Sequence, residues 1–155
     1  MDLNFQLATE LGDIPSEEDF GHWVSTALMH IDIAATEEQS LCIRVVDEEE
    51  ISALNHTYRN KEGSTNVLSF PQDIPDFVTE ATQEKALGDI LLCAPVVARQ
   101  AQEQDKEMIA HWAHLTVHGV LHLLDYDHEK PEEAEAMESI EIAILHQLGF
   151  ANPYQ

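Results

Sequence analysis

Basic residues are scarce in this chain of 155 residues: 7 lysines and arginines stand against 30 aspartates and glutamates, and the formal net charge is −23. A charge of this size repels polyanions at long range, so the composition counts against unassisted binding of RNA or DNA unless a local basic patch forms. The same charge is equally compatible with docking on a basic partner and with solubility alone.

Cysteines and long hydrophobic runs are also few. The two cysteines, Cys42 and Cys93, lie far apart among apolar residues, so we expect buried, reduced thiols and no disulfide. No apolar run approaches the eighteen or more residues of a membrane span, and the first residues, Met1 to Asn4, do not open a signal peptide. We therefore expect a soluble, cytoplasmic protein with no membrane partner.

Strand and helix patterns are mixed along the chain. Alternating or continuous apolar runs predict strands at 3–7, 41–46, 66–70 and 88–93. Capping signals and helical spacing predict helices at about 17–30, 48–58, 95–104, 107–124 and 131–148. The pattern predicts one α+β domain over residues 1–155, in which a four-stranded sheet packs with about five helices.

Three histidines are spaced for one metal ion at the end of the fourth predicted helix. His118 and His122 lie four residues apart, about 6 Å along the axis and about 40° around it, so they can converge on one ion. His128 would lie roughly 15 Å from His118 if the helix continued, so the chain must turn back near Asp125. We therefore predict one zinc ion per chain, at the helix end and the following turn.

Other histidines fit this site less well. The set His114, His118 and His122 spans about 12 Å along the helix, which strains a single ion. His111 and His114 lie on the same stripe and could donate hydrogen bonds to the ligands, but by default we assign both to packing.

The chemistry of three histidines indicates catalysis. Three neutral ligands leave one position open on a tetrahedral zinc, whereas structural zinc usually takes four protein ligands. Such an ion lowers the pKa of bound water towards about 7, which suits a hydrolase. We predict that Asp127 accepts a hydrogen bond from a ligand's second ring nitrogen; direct ligation and a plain turn role remain alternatives. Gly119 stands where the protease motif His-Glu-x-x-His has its general base, which counts against a metalloprotease.

Four segments together resemble a known family. They are Asn55 to Arg59, Thr65 to Pro71, Leu87 to Ile90, and the histidine run from His118 to His128. This combination resembles the bacterial YbeY family of ribosomal RNA maturation endoribonucleases. The chain departs from the family at two positions: Asp125 replaces a glycine, and Asn66 stands where many members have aspartate.

The resemblance implies a metal-dependent endoribonuclease, specific for single strands, that matures the 3′ end of small-subunit ribosomal RNA and acts in ribosome quality control. It also implies zinc on His118, His122 and His128, with Arg59 lining the cleft beside the metal. Residue chemistry agrees, because a guanidinium can pair bidentately with a phosphate and stabilise charge developing on it.

Three functional hypotheses follow. The leading one is zinc-dependent hydrolysis of an RNA phosphodiester with Arg59 on the phosphate, in an enzyme guided to single-stranded ribosomal RNA by a basic ribosomal or ribosome-associated protein. The second is a non-enzymatic ribosome assembly factor whose metal steadies the fold. The third is a metalloprotease, which only the ligand spacing supports.

Overall fold

The structure is a computed structural model that describes residues 2–31, 39–71, 85–124, 126 and 130–154. Its strands are β1 Asp2–Ala8, β2 Gln39–Val46, β3 Val67–Pro71 and β4 Lys85–Cys93. Its helices are α1 Glu17–His30, α2 Glu48–Arg59, α3 Ala94–Glu103, α4 Met108–Leu123 and α5 Pro131–Gln147. The predicted α+β architecture is confirmed. Within these ranges, no helix has the length and apolar character needed to cross a membrane.

The strands form one mixed sheet in the order β1-β2-β4-β3. β1, β2 and β4 are parallel, whereas β3 is an edge strand antiparallel to β4. β4 begins at Lys85, earlier than the predicted start at Gly88. The strand runs through a register shift between Ser40 and Leu41, where Leu87 of β4 has no partner and the next residue, Gly88, has a φ of 142°.

Helices cover both faces of the sheet. On one face α1 packs on α4, and the ring of Phe20 contacts those of Trp23 and Trp112 edge-on, with centroids 5.3 and 5.9 Å apart. On the other face, Ile51 of α2 lies in a second buried cluster with Leu68 of β3. The sheet therefore separates α2 from α4, and burial of apolar surface on both faces stabilises this order.

Two glycines let α4 approach the sheet closely. A Cβ on Gly119 would lie 2.9 Å from Cγ2 of Ile90, and Ser69 Oγ donates a hydrogen bond of 3.1 Å to the Gly119 carbonyl. A Cβ on Gly88 would overlap the Phe70 carbonyl and lie 2.8 Å from Leu123 at the end of α4. These contacts hold the last turns of α4 against β3 and β4.

Helices α1 and α2 begin where the sequence predicts, but the residue before α2 does not cap the helix in the predicted way. Ser16 Oγ accepts from the Asp19 amide at 3.1 Å, and the Asp19 carboxylate accepts from the Ser16 amide at 3.2 Å, which is the predicted capping box. Asp47 occupies the N-cap of α2 but makes no capping hydrogen bond. Its carboxylate instead accepts a hydrogen bond from Thr9 and so ties the end of β1 to α2.

Candidate metal centre

His118 and His122 lie on successive turns at the C-terminal end of α4, and their rings contact each other edge-on. The two Nε2 atoms are 2.9 Å apart and the ring centroids are 4.5 Å apart. Two nitrogen ligands on one tetrahedral zinc, with bonds of about 2.0–2.1 Å, stand about 3.3 Å apart. A small rotation of either ring therefore separates the nitrogens enough to bind one ion, so the pair suits a metal.

A buried carboxylate contacts the ring nitrogen of His118 that points away from His122. Oε1 of Glu141, on α5, lies 2.6 Å from His118 Nδ1, and the Glu141 side chain is 1% exposed. An ionised carboxylate can only accept a hydrogen bond, so His118 carries a proton on Nδ1. In the neutral ring the Nε2 lone pair then lies on the side of His122, which is the state that binds a metal.

Glu141 accepts two further hydrogen bonds. Its Oε2 lies 2.7 Å from His114 Nε2 and 2.5 Å from the hydroxyl of Tyr154. Burial raises the pKa of Glu141, but the hydrogen bonds from His114, His118 and Tyr154 outweigh it and lower the pKa to about 2. Burial and the neighbouring carboxylate raise the pKa of Tyr154, so its hydroxyl stays a donor.

The two histidines nearer the start of α4 have different roles. His111 is 4% exposed, and its Nε2 lies 3.0 Å from Oε1 of Gln100, which also accepts from the Asn66 amide at 3.1 Å. His111 thus joins α3 and α4 and fits its default packing assignment. The sequence predicts packing for His114 as well, but in the structure its Nε2 lies beside Glu141, inside the hydrogen-bond network of the site.

The same network offers a second set of metal-binding groups. Ligand atoms of His114, His118 and Glu141 all lie within 4.8 Å of one another and could hold an ion. That ion would use Nδ1 of His118 and would displace the protons that now join both imidazoles to the carboxylate. The two arrangements differ in which nitrogen of His118 binds the metal.

Several predicted site residues lie outside the described residues. These are the third proposed ligand, His128, its predicted neighbour Asp127, and Asp125, where the turn was expected. Their assignments therefore stay predictions. The described contacts bring together His118 and His122, and add His114, Glu141 and Tyr154 to the site.

Arg59 is the exposed last residue of α2 and lies beside the edge strand. The neighbouring Tyr58 ring contacts Phe70 edge-on at 5.6 Å, while Ser69, one residue earlier on β3, faces α4. Helices α2 and α4 thus pack against β3 from opposite faces of the sheet. In the part of the chain that the structure describes, the Arg59 side chain forms no hydrogen bond or ion pair with another residue.

The turn after Arg59 is well defined. Asn60 adopts the left-handed conformation at φ 53°; its amide donates to the His56 carbonyl, and the Lys61 amide donates to the Asn55 carbonyl. Asn55 is buried, and its side-chain amide donates to the Gly63 carbonyl at 3.1 Å. This turn anchors the backbone of Arg59 and leaves its guanidinium exposed.

Glu141 and Tyr154 were missed by sequence reasoning. Glu141 lies on the buried face of α5 with Met137, Ile144 and Leu145, and burial of a charged carboxylate among apolar residues is unfavourable. Acidic residues are almost never fully buried without a partner, so a glutamate on an apolar stripe was a usable signal. Tyr154 carried no comparable signal, because its contact with Glu141 depends on the path of the chain after α5.

The chain is similar to known proteins along nearly its whole length. The family model described as Endoribonuclease YbeY matches residues 5–149. Similar proteins named Endoribonuclease YbeY occur in Stenotrophomonas maltophilia, with 49% identity over 99% of this chain and 93% of the relative. Another, in Nitrosococcus oceani, is 47% identical over 99% of this chain and 96% of the relative. A solution structure of a Thermotoga maritima protein superposes with a TM-score of 0.57 at 20% identity, covering 99% of each chain, and supports the fold alone.

Proposed function

The chain belongs to the Endoribonuclease YbeY family, and on that premise we propose that residues 1–155 act as one single-strand-specific, metal-dependent endoribonuclease domain in the cytoplasm. Its substrate is small-subunit ribosomal RNA, which it cuts in maturation of the 3′ end and in ribosome quality control. The observation that supports this function best is the convergence of the His118 and His122 Nε2 atoms at the end of α4.

We assign one zinc ion to His118, His122 and His128. The donor set is chemically suitable, because imidazole nitrogens are common zinc ligands and three of them leave a position open. When bound, the ion supplies Lewis-acid activation of water and of the phosphate oxygens. Asp127 is proposed to accept a hydrogen bond from one of the ligating rings.

Arg59 is proposed to bind the scissile phosphate. The chain has two other arginines, and both are paired: Arg44 contacts Glu50 at 2.6 Å and Arg99 contacts Glu48 at 3.1 Å. Arg59 remains exposed at a well-anchored helix end, so its guanidinium can make bidentate hydrogen bonds to a phosphate. Phosphodiester cleavage places extra charge on the phosphate, and a cation held there stabilises it.

The two alternatives have less support. A metalloprotease needs a general base next to the first ligand, and the space beside Gly119 is filled by Ile90 and Ser69. An assembly factor without catalysis explains the acidic composition but assigns no role to the exposed guanidinium of Arg59. Neither alternative is favoured by a described contact.

We propose that a basic ribosomal or ribosome-associated protein guides the enzyme to its RNA. The net charge of −23 opposes long-range attraction to RNA, and the ion pairs of Arg44 and Arg99 reduce the cationic surface further. Attraction between an acidic surface and a basic partner increases the association rate and orients the two proteins. Added salt should weaken this association; tight binding to protein-free small-subunit RNA without any basic partner would contradict the docking proposal.

The decisive experiment is cleavage of a single-stranded RNA by zinc-loaded protein. We expect cleavage by the wild type, none by His122→Ala, and none by Arg59→Glu, which should keep its zinc and its fold. Unchanged cleavage by Arg59→Glu in a nuclease-free preparation would remove Arg59 from the mechanism.

Two matched variants control this experiment. His22→Ala removes an exposed histidine from α1, and Arg99→Glu makes the same charge change at another exposed arginine. Both should cleave at the wild-type rate. Activity that survives His122→Ala, or that is lost equally in Arg99→Glu, would point to contamination or to a nonspecific charge effect.

A further inference from the structure

A single buried carboxylate organises the histidines of the candidate centre. Glu141 is fully buried on α5, where an isolated charge is strongly unfavourable. Three donors compensate for this burial, namely His114, His118 and Tyr154. His118 is a proposed metal ligand, so the network connects α5 and the segment after it to a ligand of the proposed metal site.

We propose that Glu141 is a positioning residue that orients His118 for the metal and keeps the His118 proton on Nδ1, and that Tyr154 holds the Glu141 carboxylate in place. This inference rests on the proposed function, because it takes the metal to lie on the Nε2 side of His118, next to His122. It assigns Glu141 to the support of the ligand and not to the metal itself.

The geometry around His118 carries the first part of the proposal. Its two ring nitrogens have separate partners: Nδ1 lies 2.6 Å from Glu141 Oε1, and Nε2 lies 2.9 Å from His122 Nε2. A carboxylate on the far nitrogen of a ligating histidine fixes its orientation and tautomer and increases its basicity. Rotation of the ring away from His122 would break the short hydrogen bond to Glu141.

The contacts of Tyr154 carry the second part. Its hydroxyl lies 2.5 Å from Glu141 Oε2, and its ring packs edge-on against His114 with centroids 5.3 Å apart. Tyr154 is 46% exposed. Its hydroxyl contacts the buried carboxylate, while part of its surface stays in solvent. Tyr154→Phe therefore removes one hydrogen bond from Glu141 and leaves most of the packing in place.

The first measurement is zinc affinity by competition with a chelator, using purified full-length protein. Outer partners of metal ligands typically contribute about 10- to 100-fold in affinity, and we expect a loss in that range for Glu141→Gln. The amide keeps the shape of the side chain and removes its charge. Tyr154→Phe should lose about 3-fold, since it acts through Glu141. Glu135→Gln removes an exposed carboxylate of the same helix and should bind zinc as the wild type does.

The second measurement identifies the nitrogen of His118 that carries the proton. Nitrogen-15 NMR of the zinc-loaded wild type should show His118 protonated on Nδ1 with the metal on Nε2. The reverse pattern would place the ion between His118 Nδ1, His114 and Glu141, which is the other set of groups able to hold a metal, and would overturn the proposal. A purely structural role for Glu141 predicts no change in either measurement once folding is matched.

Neither measurement depends on RNA cleavage, so the inference and the proposed function can fail separately. Zinc bound through Nε2 without any cleavage would contradict the function and leave the role of Glu141 intact. Wild-type zinc affinity in a folded Glu141→Gln variant would overturn the role of Glu141 whatever the activity. If Glu141→Gln does not fold, metal on Nδ1 of His118 overturns the role of Glu141, and wild-type affinity in Tyr154→Phe overturns the role of Tyr154.

Discussion

The two ends of α4 each carry a histidine that is hydrogen-bonded to an oxygen of another helix, and the two oxygens differ in charge. Near the start, His111 meets the neutral amide of Gln100 at 3.0 Å. Near the end, His118 meets the carboxylate of Glu141 at 2.6 Å. A hydrogen bond to an ionised acceptor is shorter and stronger than one to a neutral acceptor.

This difference separates a structural histidine from a candidate ligand on the same helix. Burial, with smaller effects from His114 and Lys106, lowers the pKa of His111 to about 4, so its ring stays neutral and serves packing. His118 keeps a 20% exposed side chain and directs Nε2 towards His122. The residue type alone does not distinguish the two roles; the acceptor brought by α3 or α5 does.

The largest expected effect is loss of metal from one end of α4 only. His118→Ala, His122→Ala and His128→Ala should each abolish or strongly weaken zinc binding, because two imidazoles do not complete the proposed ligand set. His111→Gln, at the other end, should keep its zinc. Elemental analysis of dialysed protein measures the content, and full retention in all three alanine variants would move the site elsewhere.

The next largest effect is on the stability of the protein in acid, and it comes from His111 near the start of α4. The folded-state pKa of His111 is about 4, below its ordinary value of 6.5, so the unfolded chain takes up the proton first. The free energy of unfolding keeps this contribution well above pH 6.5 and loses it as the pH falls towards 4; the loss is about 2.5 kcal/mol at pH 4.5. Urea unfolding of metal-free protein should show a smaller loss between pH 7 and 4.5 in His111→Gln; equal losses would contradict the pKa shift.

A smaller effect is expected between the two ends, where α4 touches the sheet. Gly119→Ala should destabilise the protein by about 1–3 kcal/mol, because its Cβ would meet Ile90 at 2.9 Å, even though alanine favours helices. Gly21→Ala on α1 is the matched control, since its Cβ would make only an ordinary contact of 3.8 Å with Leu3. That variant should be stabilised by about 0.5–1 kcal/mol. Urea midpoints that shift in the same direction for both glycines would contradict the close approach.

The smallest expected effect is none at all. Peptide hydrolysis by the zinc-loaded protein should be undetectable in a casein or peptide-library assay, because Gly119 offers no proton acceptor beside His118. Zinc-dependent turnover that disappears in His122→Ala would restore the protease hypothesis.

Local patterns were predicted well because their partners lie within one or two turns of the chain. The capping box of Ser16 and Asp19 depends on residues three apart, and it formed as expected. Helix and strand bounds also followed apolar spacing closely, apart from the start of β4. There a register shift between Ser40 and Leu41 let the strand run through Gly88, which no local rule could indicate.

The support of the candidate site was not predicted because its contacts are distant in sequence. Glu141 is 23 residues from His118, and Ser69 is 50 residues from Gly119. From the sequence, Gly119 is informative because it replaces the general base of a metalloprotease. The structure adds that a glycine is required there, because α4 packs closely on Ile90. The sequence predicts only packing for His114, because its carboxylate partner, Glu141, lies on a different helix, α5.

Residue order and spacing along single elements were enough to predict the α+β class, the helix that carries His118 and His122, and the family resemblance. Tertiary structure alone decided which acceptor each histidine of α4 meets: Gln100 for His111, and Glu141 for His114 and His118. Hydrogen bonds act over about 3 Å, and only packing of the helices on the sheet brings such distant residues within that range.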